Sequence, residues 1–223
     1  MSLTPRKPRP LIRDAACLRD DRLFIIACDD TYAPKQYFEF FRIPRIQVHV
    51  VETPKEDTSS HAAHVLERLQ KFEHDEDDEL WMLLDTDHCI KKGHIKSFKR
   101  AIKDANNQGI KIALSRPCFE LWLLLHHVDE SAVASLKNAQ ETEGALRGAL
   151  GGQYDKTNLK LEHYPLATVR DAYLRSRKLD KIIVGGTIPK GNTSRVHLLW
   201  DAILAKSLAS QLPSELKDLL SNK

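Results

Sequence analysis

The residues best placed to do chemistry close a continuous apolar run. Leu80-Trp81-Met82-Leu83-Leu84 is followed at once by Asp85-Thr86-Asp87. An apolar run of that length predicts one buried strand, and alternate strand residues share a face, so Asp85 and Asp87 are expected to project together from its carboxyl end. Open α/β sheets bind their ligands at that edge. Two neighbouring carboxylates repel each other unless a cation, a proton or a donor lies between them. Oxygen ligands suit Mg²⁺ or Mn²⁺, which is the first chemical reading. The competing reading makes either aspartate the cap of the next helix.

Other acids follow the same logic. Leu23 to Cys28 (LFIIAC) is a second short apolar run, and it ends in Asp29-Asp30. Glu120 is the one acid in the densest apolar stretch, Ser115-Arg116-Pro117-Cys118-Phe119-Glu120-Leu121-Trp122-Leu123-Leu124-Leu125-His126-His127. With Pro117 at the start of a helix, Glu120 either serves the helix dipole and its free amides or joins Asp85 and Asp87 as a metal ligand or general base. Lys156, in the loop Tyr154 to Asn158 after Gly151-Gly152, is a candidate phosphate clamp, as is Arg116; a plain surface lysine is the alternative. His61, His64 and Glu67 form an HxxHxxE row that reads as a solvated helix face, because the i, i+4 pairing of helical zinc sites is missing. His126-His127 reads as charge favourably placed near a helix C-terminus. GxxxxGK[ST], GxGxxG and GxSxG are all absent, which weighs against nucleotide hydrolysis and hydrolase-triad chemistry.

The elements that must position these side chains alternate. Strands are predicted at Leu23–Cys28, Ile46–Val51, the run ending at Asp85, and Ile110–Ser115. Helices are predicted at Pro34–Phe41, Ser60–Phe72 and Lys92–Asn107, the last stopped by Gly109. This order argues for a parallel sheet of about four strands wrapped by helices. Beyond it the chain reads as helical: Phe119–His127, Glu130–Ala149, Leu166–Lys178 and Val196–Leu208. The expected organisation is a basic arm over 1–20, an α/β core over 21–128 and a helical C-terminal elaboration over 129–223, packed on the core. The 223 residues suffice for a real core without a staple. Cys17, Cys28, Cys89 and Cys118 show neither CxxC nor zinc spacing, so reduced thiols and a cytoplasmic location are expected. No apolar h-region and no run of eighteen apolar residues occurs, so no membrane association is expected. A net charge of +3 says little about partners. Its distribution says more, with Arg6, Lys7, Arg9 and Arg13 in the arm and an acidic stretch from Glu73 to Glu79.

The strand ending in an acid, the LLDTDH run at Leu83–His88 and the SRPCFELWLLLH block at Ser115–His126 together resemble the RloB family. Tyr37-Phe38, Tyr154-Asp155-Lys156-Thr157 and Asn192–Trp200 are weaker supports. That family is a TOPRIM-like group tied to restriction and abortive-infection loci, often beside a gene for an ABC/AAA-type ATPase. The resemblance implies a TOPRIM-like sheet, a divalent-metal-dependent nuclease acting on RNA, tRNA included, or DNA, and control by that ATPase; a homo-oligomer is compatible with it. Carried over by position, Asp85 and Asp87 hold Mg²⁺ or Mn²⁺, Asp29 takes the place of the family's first-strand glutamate, Asp30 stands beside it, and Glu120 is an additional acid. Relatives show Cys-Glu-Gly-x-x-Thr-Glu-Pro where this chain has Cys28-Asp29-Asp30-Thr31-Tyr32-Ala33-Pro34. The carboxylate of Asp29 is thereby withdrawn by about one methylene, and a 1 Å misplacement can cost on the order of a hundredfold in rate. This departure keeps open a noncatalytic scaffold whose acids cap helices or bind a regulatory metal. A small-molecule phosphotransferase lacks a nucleophile motif and ranks below both.

Overall fold

The structure, a computed structural model, describes residues 21–30, 32–53, 61–87, 94–182 and 186–220. The basic arm with Arg6, Lys7, Arg9 and Arg13, together with Cys17, His88, Cys89, Lys91 and Lys92, lies outside the described residues. The first half alternates strand and helix: β1 (Arg22–Cys28), α1 (Tyr32–Glu39), β2 (Ile46–Val51), α2 (Ala62–Lys71), β3 (Glu79–Asp85), α3 (Ile95–Asn107) and β4 (Lys111–Arg116). There follow α4 (Glu120–Leu124), α5 (Glu130–Val133), α6 (Ala139–Ala149), a 3-10 turn at Leu161–His163, α7 (Leu166–Ile182), β5 (Thr193–Ser194), α8 (Val196–Lys206) and α9 (Ser214–Leu220). The sheet order is β2-β1-β3-β4-β5, with parallel pairing from β2 through β4 and β5 antiparallel to β4.

Both faces of the sheet are covered, which is why the central strands β1 and β3 read as continuous apolar runs. Phe24, Ile26 and Cys28 of β1 and Trp81 and Leu83 of β3 pack with residues of α1, α4, α7 and α8. Leu23, Ile25 and Ala27, with Met82 and Leu84, face α2 and α3 through Val65, Leu69, Phe98 and Ile102. Each buried Leu, Ile, Val, Phe or Met side chain among them contributes about 1.5–3 kcal/mol when removed from water. Gly109 takes a φ of 74° just past α3, a left-handed turn that lets the chain enter β4.

The C-terminal half departs from expectation at four places. Glu130–Ala149 is two helices rather than one, because the Asn138 side chain accepts from the Glu141 N–H at 2.9 Å and starts α6 afresh. The Glu141 carboxylate answers by accepting from the Lys137 N–H at 2.8 Å. Pro117 does not open a helix, since α4 begins at Glu120 and is shorter than the Phe119–His127 span. Two elements lie outside the predicted set. Strand β5 extends the expected four-stranded sheet, its buried Ser194 hydroxyl meeting that of Ser115 at 2.9 Å, and α9 buries Leu216 and Leu219.

Candidate functional site

Parallel pairing of β1 with β3 sets Cys28 opposite Leu83, so the acids that follow each strand emerge side by side. The Asp85 N–H donates to Asp29 Oδ2 at 3.0 Å. Burial, with Asp29, Glu120, Asp87 and Asp30 adding negative charge, holds the Asp85 carboxyl well above the usual carboxylate range. Burial likewise pushes Asp29 up to about 8; the Asp85 amide and the Arg68 guanidinium work against that rise, while Asp87 and Asp30 add to it. Arg68 reaches from α2 to donate to the Cys28 carbonyl at 2.7 Å. Glu120, in the first turn of α4, accepts from the Tyr154 hydroxyl at 3.0 Å. Asp29, Asp85 and Glu120 are therefore gathered into one electrostatic neighbourhood from three separate elements.

Asp87 is placed differently from the sequence expectation. Strand β3 ends at Asp85, so the i, i+2 alternation does not carry Asp87. A turn places it instead: the Pro117 carbonyl accepts from the Thr86 N–H at 3.0 Å and from the Asp87 N–H at 3.2 Å. Asp87 and Arg116 then line a cleft of about 480 Å³, which Asp29, Asp85 and Glu120 do not line. The Arg116 guanidinium also donates to the Pro189 carbonyl at 2.9 Å.

Asp30 and Lys156 are occupied with each other at 2.9 Å. The second Asp30 oxygen accepts from the Tyr32 N–H at 2.9 Å, a turn that leads the chain into α1. Gln36, which belongs to no motif, stitches the 154–159 loop to α1: it donates to the Lys156 carbonyl at 2.9 Å and accepts from the Leu159 N–H at 2.8 Å. His61, His64 and Glu67 form an exposed to half-exposed row, as a solvated face requires. His126 contradicts its reading as a helix-end charge. It is buried between the Tyr37 hydroxyl at 3.1 Å and the Thr168 hydroxyl at 2.9 Å, and burial holds it neutral with a depressed pKa.

A second polar cluster looks like nucleophile chemistry and is not. The Ser176 hydroxyl meets His197 Nδ1 at 2.9 Å, and His197 Nε2 stands 3.9 Å from Asp180. Ser176 is fully buried and donates to the Ser194 carbonyl, so its proton is committed and no substrate reaches it. The cluster fastens α7 to β5 and α8.

The profile of the RloB-like protein family matches residues 24–203, which takes in every acid described above. The chain belongs to the RloB-like family. No curated protein and no solved structure gives a match. In this RloB-like chain the donor chemistry at the sheet edge fits a hard divalent cation: it is all oxygen, and Asp29 Oδ1 is buried with no hydrogen-bond partner among the described residues. No group of three or more His, Cys, Asp or Glu side chains stands arranged to hold a metal among the described residues. Among the described residues no helix is long and apolar enough to cross a membrane.

Proposed function

We propose that this RloB-like chain is a divalent-metal-dependent nuclease of phage defence, cleaving RNA or DNA phosphodiesters under the control of a partner ATPase. The observation that carries the reading is the gathering of Asp29, Asp85 and Glu120 at the carboxyl edge of the sheet, with Asp85 held in the field of all the neighbouring acids. Such an accumulation of negative charge is costly to the fold and is relieved by a cation. Asp85 and Asp87 would hold Mg²⁺ or Mn²⁺, which when bound supplies Lewis-acid stabilisation of the phosphate oxygens. Asp29, its carboxyl pushed up to about 8 mainly by burial, would position the nucleophilic water, and a cation bound beside it would lower that value. The Asp85 amide donates to Oδ2 of that carboxyl and so fixes its orientation. Arg116, beside Asp87, offsets phosphate charge. TOPRIM-like chemistry and the abortive-infection setting enter through family membership.

The test is to incubate the purified protein with tRNA and with plasmid DNA in Mg²⁺ or Mn²⁺, alone and with the ATPase encoded beside it. Cleavage that disappears in Asp85→Ala is expected; intact substrates under every condition would remove the reading. One observation favours the noncatalytic scaffold: both Asp30 oxygens are engaged, one in the turn into α1 and one by Lys156. Calorimetry separates the two. A nuclease should give saturable Mn²⁺ heat that is lost in Asp85→Ala and Asp87→Ala, and a scaffold with capping acids should give none.

A further inference from the structure

We propose that the cleft beside Asp87 is a subsite for the sugar-phosphate backbone of single-stranded nucleic acid, with Lys137 and Lys190 as its phosphate contacts. The inference deepens the nuclease reading and rests on it. Four segments of the chain meet at this cleft, and Asp87, Arg116, Lys137, Asn138, Lys190 and Asn192 are among its walls. Hydrogen bonds fix those segments to one another. The Asn192 amide donates to the carbonyls of Val133 and Leu136, so the loop bearing Lys190 is tied to the turn bearing Lys137. Arg116 donates to the Pro189 carbonyl, which ties the same loop to the end of β4. Pro117 accepts from the Thr86 and Asp87 amides and brings in the end of β3. The cleft is thus held in shape from all sides before any ligand arrives, which lowers the cost of ordering on binding.

Its charge selects the ligand. Arg116, Lys137 and Lys190 outnumber the single carboxylate of Asp87, so the cleft favours an anion. Lys156, the other candidate clamp, is taken by Asp30 and does not line it. At about 480 Å³ the cleft has room for one nucleotide-sized group. No aromatic side chain lines it among the described residues, so the grip falls on phosphate and sugar rather than on stacked bases. Recognition is therefore tolerant of sequence. A strand lying here passes Asp87 and is delivered toward the acids at the sheet edge.

The experiment is fluorescence anisotropy with short labelled single-stranded RNA, single-stranded DNA and duplex DNA, in EDTA so that binding is read without cleavage. The wild type should bind single strands more tightly than duplex. Lys137→Glu with Lys190→Glu should weaken single-strand binding roughly tenfold or more and flatten the salt dependence of log Kd by about 0.7 per lysine. Both side chains are exposed, so the fold should tolerate the change, and circular dichroism checks it. Lys96→Glu with Lys99→Glu, exposed on α3, should bind as wild type. Equal binding by the Lys137/Lys190 variant, equal affinity for duplex, or no binding by the wild type at low salt overturns the subsite. Binding that the lysine changes abolish, in a protein that cleaves nothing, upholds the subsite and removes the nuclease reading. Cleavage at wild-type rates by the lysine variant does the reverse. The ratio between the RNA and DNA arms identifies the sugar.

Discussion

Asp29 serves opposed demands, and its titration exposes them. Its folded carboxyl sits at about 8 against an ordinary 3.8, so between those values the folded chain holds a proton that the unfolded chain has released. The unfolded state then binds fewer protons, and stability falls as pH rises through that window. Asn keeps an oxygen to accept the Asp85 N–H and carries no charge. Asp29→Asn is therefore expected to raise Tm by about 2 °C or more at pH 8, with the gain shrinking toward pH 4, while metal-dependent cleavage is lost. Scanning calorimetry across that range reads it, and a variant less stable than wild type at pH 8 would show that the charge is not a burden. Asp29, Asp85 and Glu120 were legible because each interrupts or ends an apolar run. Arg68 and Tyr154 were not legible as partners, since their contacts span 40 and 34 residues and no local pattern encodes them. The pairing of Lys156 with Asp30, 126 residues apart, was hidden for the same reason.

At the level of elements, strands buried on both faces announce themselves, so β1 and β3 and the buried stretch of β4 show as apolar runs, whereas the half-buried β2 shows through the alternation of Gln47 and His49 with apolar neighbours. Strand β5 shows neither signal, because Thr193 and Ser194 are polar, and Ser194 is held in the interior by hydrogen bonds with Ser115 and Ser176. The break between α5 and α6 did carry a signal. Asn138 and Glu141 stand at capping-box spacing, but the helix-forming residues around them masked it. Asn138→Ala should cost about 1 kcal/mol, read as a lowered urea midpoint with an unchanged slope. An unaltered midpoint would mean that packing of Leu146 alone sets the start of α6. Because the same turn carries Lys137, the variant should also weaken single-strand binding if the cleft depends on its shape.

For the molecule as a whole, the two halves of the chain are joined around Tyr37. Its ring meets Phe38, Phe41, Phe119, Trp122, His126 and Tyr164 edge to face, and its hydroxyl bonds to His126. The Thr168 hydroxyl donates to the Pro165 carbonyl, so it accepts from His126 Nδ1–H, and Nε2 is left to accept from Tyr37. A proton on Nε2 would take away the acceptor of the Tyr37 hydroxyl and bury a charge in the joint between α1, the turn after α4, and α7. Burial, with His127 and Arg175 adding positive charge, accordingly depresses the His126 pKa well below 6.5, and burial lowers His197 too. Below about pH 6.5 the unfolded chain gains protons that the folded chain refuses, so the slope of stability against pH is positive and stability is lost as pH falls. Each imidazole contributes up to about 1.4 kcal/mol per pH unit, and half-buried His127 and His49 act in the same direction. Asp29 and Asp85 oppose this trend, so it is best measured where both are Asn. Urea unfolding of that double variant should show stability decreasing steadily from pH 7 to pH 5. A flat profile would mean that the histidines charge inside the folded protein and that the Tyr37–His126–Thr168 joint yields without unfolding the rest.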